Sequence, residues 1–182
     1  MSVLLTSSDY IKAHSGLHDN TYDKMVLPAL ERAQDISLTE AVGECLVNAL
    51  QSKVADNSIE LPENALYKLL LDNYIQPFLT YTVLANITLE LGQVMGNGGI
   101  DYLTDEHRQT LSFDERSQYK DYWLHNAEAY KLKMLKFLKN NRGAFPEFDS
   151  CCKEQDDLSQ SCSVWLGGPV GKIIPKDCCG RK

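Results

Sequence analysis

Apolar residues recur at helical spacing through most of the first 148 positions, and the densest run lies over residues 62–95. There Leu66, Leu69, Leu70, Tyr74, Phe78, Tyr81, Leu84 and Leu91 follow the helical period, with Leu71, Ile75, Leu79, Val83, Ile87 and Val94 as a second stripe beside the first. A helix that is apolar on most of its circumference must be surrounded, so this segment is expected to be the central helix of a bundle. A membrane span is the poorer reading. Residues 74–92 include Gln76, Pro77, Thr80, Thr82, Asn86, Thr88 and Glu90, whereas a span needs ~20 predominantly apolar residues. Pro77 removes a backbone donor and crowds the carbonyl four residues back, which predicts a bend near Asn73.

Shorter amphipathic segments flank this run. Thr6 is placed as the N-cap of a helix reaching His14, with Asp9 in its first turn and Gly16 as its stop. Asn20 or Thr21 can open a second helix carrying Tyr22, Met25, Val26, Ala29, Leu30 and Ala33, with Pro28 inside it. Ser37-Leu38-Thr39-Glu40 reads as a capping box for a third helix, whose stripe is Leu38, Ala41, Val42, Cys45, Leu46, Ala49 and Leu50. Cys45 on that stripe is expected to be a small buried apolar residue. Pro62 suits the first position of the central helix, and Gly96-Asn97-Gly98-Gly99 ends it with a sharp reversal. Ile100, Asp101, Tyr102 and Leu103 then form a short extended segment or one arm of a hairpin. Ser112-Phe113-Asp114-Glu115 is a second capping box, opening a last helix over residues 113–141 with Tyr119, Tyr122, Trp123, Ala127, Tyr130, Met134, Phe137 and Leu138 on one stripe. Phe145-Pro146-Glu147-Phe148 reads as an aromatic latch folding back on the bundle. The fold class is therefore all-α: a bundle of about five helices around a long central helix, with a Gly-rich loop or short β-hairpin.

The pattern ends at residue 149. Residues 150–182 carry glycines, prolines and isolated apolar residues without helical period, an extended tail that cannot build its own core. The chain thus divides into a helical domain, residues 1–149, and a cysteine-containing tail. Val164, Trp165, Leu166, Ile173 and Ile174 in the tail call for burial on a partner. Five of the six cysteines lie there without a C-x-x-C or an accompanying histidine, so no metal site is assigned. His14 and His18 have an i, i+4 spacing, but Gly16 interrupts it. The N-terminal residues lack a basic stretch followed by a long apolar run, from which synthesis in a reducing cytoplasm and thiol cysteines are expected.

Charge narrows the function further. The formal charge is −7, with 21 acidic and 13 basic residues over 1–149. A body of this sign does not favour a nucleic-acid-binding face. Lys131, Lys133, Lys136, Lys139 and Arg142 gather at the end of the last helix, where they complement its dipole. No nucleophile with its base, carboxylate pair, phosphate loop or metal cluster stands at a recognised spacing, so no catalytic residue and no cofactor is assigned.

Several short stretches, taken in order, carry a resemblance. They are Asp9-Tyr10-Ile11, the run from Leu27-Pro28-Ala29-Leu30 to Gln34-Asp35-Ile36, and the Leu38 to Leu50 helix with Gly43. Further on come Gln76-Pro77-Phe78-Leu79-Thr80-Tyr81, Gly98-Gly99-Ile100, Asn126-Ala127-Glu128-Ala129-Tyr130 and Phe145-Pro146-Glu147-Phe148. Over residues 4–148 the chain resembles the small helical head–tail connector (adaptor) proteins of Bacteroides-type and crAss-like tailed bacteriophages. The resemblance implies a structural virion protein made in the host cytoplasm. It implies a homo-oligomeric ring, commonly twelvefold, bound below the portal protein and above downstream neck or tail proteins. DNA would pass through the channel without sequence-specific binding, and no membrane would be involved. Gly98, Gly99, Ile100, Tyr102 and Leu103, together with the apolar tail residues, are the expected subunit or portal contacts. The alternative reading from periodicity alone is a cytoplasmic helical regulator or scaffold that binds one protein partner.

Overall fold

The computed structural model describes residues 3–18, 23–88, 90, 93–96, 99–102 and 112–148, the backbone alone for 93–102. It is helical apart from one two-stranded ladder. In chain order the elements are α1 (Ser8–Ala13), α2 (Asp23–Arg32), a π-helical segment Ala33–Leu38, α3 (Thr39–Val42), α4 (Glu44–Ala55) and α5 (Ala65–Leu70). A second π-helical turn, Leu71–Ile75, leads into α6 (Gln76–Thr88), followed by β1 (Gln93–Gly96), β2 (Gly99–Tyr102) and α7 (Phe113–Asn140). Short 3₁₀ turns precede α5 and follow α7.

α6 is the covered element. Val83, Leu84 and Ala85 are consecutive and all buried, so α6 has neighbours around most of its circumference. It packs along α7 on one flank and against α2 and the Ala33–Leu38 segment on another. Its buried threonines fold their hydroxyls back on the helix: Thr80 Oγ1 donates to the Gln76 carbonyl and Thr82 Oγ1 to that of Phe78, each at 2.8 Å. That satisfies groups which would otherwise cost free energy in an apolar environment. α4 adds Leu46 and Leu50, both fully buried, each contributing about 1.5–3 kcal/mol of transfer free energy.

The α6–α7 seam is aromatic and antiparallel. Tyr67, Tyr74 and Tyr81 follow one another at intervals of seven, as do Trp123, Tyr130 and Phe137. Tyr74 stacks on Phe137 at 4.9 Å between ring centroids, and Tyr81 stacks on both Tyr130 at 5.5 Å and Trp123 at 6.0 Å. Past the end of α7 the latch closes the series. Phe145 is fully buried, edge-on to Tyr67 at 4.8 Å and to Phe137 at 5.9 Å. Beside it the Tyr67 hydroxyl donates to Glu147 Oε2 at 2.8 Å. Such aromatic pairs are worth roughly 0.5–1.5 kcal/mol each beyond their area.

Several helix boundaries differ from those expected. Ser7, not Thr6, caps α1, its Oγ accepting from the Tyr10 N–H at 3.1 Å; Thr6 is itself buried. Ser37 caps nothing, because the helix runs on through it to Val42 and breaks only at Gly43, whose φ of 87° ends the run. The extra residue of the π-helical segment turns Leu38 and Val42 inward where an unbroken α-helix would have presented Ser37 and Ala41. The central helix ends at Thr88, short of Met95, and residues 93–96 are extended instead. Just before Pro77 the helix type changes: a π-helical turn spans Asn73, and the Gln76 N–H reaches back five residues to the Leu71 carbonyl. Leu66 and Leu69, placed on the buried stripe by periodicity, are partly exposed at 40% and 38%. Cys45 is half-buried and disulfide-bonded rather than a buried thiol. Its position, one residue before Leu46, puts it on the flank of the α4 core stripe; its partner lies outside the described residues.

Candidate assembly surfaces

β1 and β2 pair antiparallel with Gln93 opposite Tyr102, Val94 opposite Asp101, Met95 opposite Ile100 and Gly96 opposite Gly99. Of the expected contact residues, Gly99, Ile100 and Tyr102 therefore fall on β2. Gly98 and Leu103 lie outside the described residues, as do Val164, Trp165, Leu166, Ile173 and Ile174. The ladder is inserted between α6 and α7, the two helices that share the aromatic seam. A two-stranded ladder is marginally stable by itself in water and needs a surface to pack on.

Two further surfaces stand out, the second of them around the basic cluster at the end of the last helix. On the outer side of α2 and its π-helical continuation, Ile36 is 64% exposed. Pro28, Glu31, Arg32, Asp35, Ile36 and Glu90 line a shallow open cleft there. The Arg32 guanidinium spans that cleft to Glu90 at 2.8 Å, which leaves Glu31 and Asp35 without an ion-pair partner among the described residues. On the outer side of α7, Leu132 is 60% exposed among lysines. Lys131 turns to Glu128 at 3.4 Å and Lys133 lies over the Tyr130 ring at 4.7 Å. Lys136 and Lys139 are exposed and form no ion pair among the described residues. The signal for both surfaces was present as misfits. Leu132 falls off the Ala127, Met134, Leu138 line, and Ile36 precedes the inward-facing Leu38 by two positions.

Twenty-eight residues make α7 a helix about 42 Å long. In its first third Phe113, Tyr119 and Tyr122 are 59%, 51% and 57% exposed, although Tyr119 and Tyr122 were expected on the buried stripe. Ser112 and Glu115 hold its start in a reciprocal capping box. The bonds from Ser112, led by its backbone N–H, keep the Glu115 carboxyl below its ordinary range.

The described residues contain no group of three or more His, Cys, Asp and Glu placed to hold a metal ion. His14 stacks on Tyr10 at 4.0 Å and its Nδ1 lies 2.9 Å from the Tyr10 carbonyl. No described helix is long and apolar enough to cross a membrane.

Residues 38–157 match the model of a family described as "Family of unknown function (DUF6712)". No curated protein and no solved structure matches the chain.

Proposed function

Because the chain belongs to the DUF6712 family, whose description carries no activity, we propose from its own residues that it is a head–tail connector subunit of a tailed bacteriophage. It is a structural virion protein of the neck and catalyses no reaction. Copies form a ring below the portal protein, commonly of twelve, and downstream neck or tail proteins bind beneath it. A helical bundle built around α6 is the body of the subunit. The glycine-bounded ladder and the tail after residue 149 are its contact arms, and the genome passes through the ring without sequence-specific contact. The acidic balance of residues 1–149 supports this, since a channel that phosphates must traverse should not hold them.

The observation that carries the reading is the ladder itself. A short pair of strands is marginally stable by itself in water, and this one, inserted between two packed helices, offers its edges to a partner strand. The decisive experiment is co-expression with the portal protein of the same phage, followed by native mass spectrometry. The expected species is a portal ring carrying one connector copy per connector site. Ile100→Ser together with Tyr102→Ser should leave the free subunit folded and reduce its incorporation at least tenfold. A truncation lacking residues 150–182 should lower yield or heat resistance of the complex. Full incorporation of both variants, or no association of the wild-type chain with the portal, defeats the reading.

A further inference from the structure

Resting on the ring reading, we infer that adjacent copies of the chain meet head to tail. The acidic outer face of α2 and its π-helical continuation on one copy sits against the lysine-bearing outer face of α7 on the next. Three observations lead there. First, α6 packs between the two elements, so their solvent faces look outward on different flanks of the same core, as the two sides of a ring subunit must. Second, the faces match in form, each carrying a well-exposed aliphatic side chain, Ile36 at 64% and Leu132 at 60%. Third, they are opposite in sign. Glu31 and Asp35 line the same cleft as Ile36 while Arg32 is committed to Glu90, and exposed Lys133, Lys136 and Lys139 follow Leu132 within seven positions along α7.

The signs also select the geometry. Either face against its own copy would bring like charges together, which costs free energy and disfavours a two-fold dimer. Unlike faces in contact give a heterologous contact that repeats, and repetition closes a ring when the rotation allows. Charges at the rim of such a contact act mainly on encounter rate and partner choice, with the aliphatic pair as anchor. The contact is therefore expected to be weak in isolation and salt-sensitive.

The test uses two variants of the full chain, Glu31→Lys with Asp35→Lys, and Lys133→Glu with Lys136→Glu. Sedimentation is read over a concentration series at low salt, with far-ultraviolet circular dichroism to verify folding. The wild-type chain should gain mass with concentration and lose that gain at high salt. Each variant alone presents two faces of one sign and should stay monomeric. An equal mixture restores both unlike contacts and should recover the wild-type association. The inference is overturned if the wild-type chain stays monomeric throughout, if either folded variant associates as the wild type does, or if the mixture stays monomeric. Failure of the connector reading would appear separately, as a chain that self-associates in this way but does not bind the portal.

Discussion

Gln34 holds the backbone of Leu5. Its Oε1 accepts from the Leu5 N–H at 2.8 Å, while its Nε2 donates to the Val3 carbonyl at 3.1 Å, so one buried amide satisfies a donor and an acceptor on the same segment. Gln51 Nε2 donates to the same Val3 carbonyl at 3.1 Å. Gln34 is fully buried, and it fixes the N-terminal segment to the π-helical continuation of α2. Replacing it with leucine keeps the volume but strands a buried N–H. Gln34→Leu should cost about 1–3 kcal/mol, read as a lowered urea midpoint, with loss of hydrogen-exchange protection at Leu5. Retained protection at that amide would show the clamp to be incidental.

Gly43 marks the break between α3 and α4 with φ 87° and ψ 151°, a conformation open to glycine and strained for any residue with a Cβ. Gly43→Ala should destabilise the chain by about 1–3 kcal/mol, although alanine favours both flanking helices. A variant at least as stable as the wild type would mean that the two helices can fuse without loss.

Leu46→Asp and Leu84→Asp each place a carboxylate where no partner exists, at positions 0% and 4% exposed. A cost above about 4 kcal/mol is expected, a large share of the 5–15 kcal/mol of a usual domain. Thermal melts that superpose on the wild type would place these residues in solvent.

Stability should fall at both ends of the pH range. Burial first, and then the bond to Glu147, hold the Tyr67 phenol well above its ordinary value. A raised folded value means that its contribution is full below the unfolded phenol value of about 10 and is lost as pH rises toward the folded one. Tyr67→Phe should flatten that alkaline loss. At the acid end Asp23, lowered chiefly by its bond from Lys12, and Glu115, lowered by Ser112, act with the opposite sign. Their contributions are present above the unfolded carboxylate values of about 4 and disappear as pH falls. An alkaline limb unchanged in Tyr67→Phe would separate the phenol from stability.

How far the sequence could be read depended on whether a signal was local. Ser112 and Glu115 satisfy each other within four residues, so the start of α7 was legible. Ser37 and Glu40 carry the same pattern, yet Ala33, Gln34 and Leu38 are all buried and draw the helix straight through. Thr39 Oγ1 then donates to the Gln34 carbonyl at 3.3 Å instead of serving a cap box. The aromatic residues of α6 and α7 were visible as stripes, but their pairing across the seam, and the part of Tyr67 in it, depended on register between distant segments. The exposure of Ile36 was harder to foresee, because it depends on a π-helical insertion, whereas Leu132 simply falls off the buried line of α7.

The two π-helical turns also determine where this chain can change length. An α-helix that loses one residue rotates everything after it by about 100°, whereas a π-helical turn already contains a surplus residue, and losing that residue restores ordinary winding with the later side chains still aimed as before. Removing Asp35 from the Ala33–Leu38 segment should therefore leave Leu38 and Val42 facing inward, a deletion tolerated inside a continuous helix. Removing Asn73 from Leu71–Ile75 should not be tolerated in the same way. There the wider turn is what accommodates Pro77, and ordinary winding would press the proline ring onto the carbonyl behind it at a cost of about 3 kcal/mol. The second surplus residue becomes dispensable only together with the proline, so relatives that lack one should lack the other.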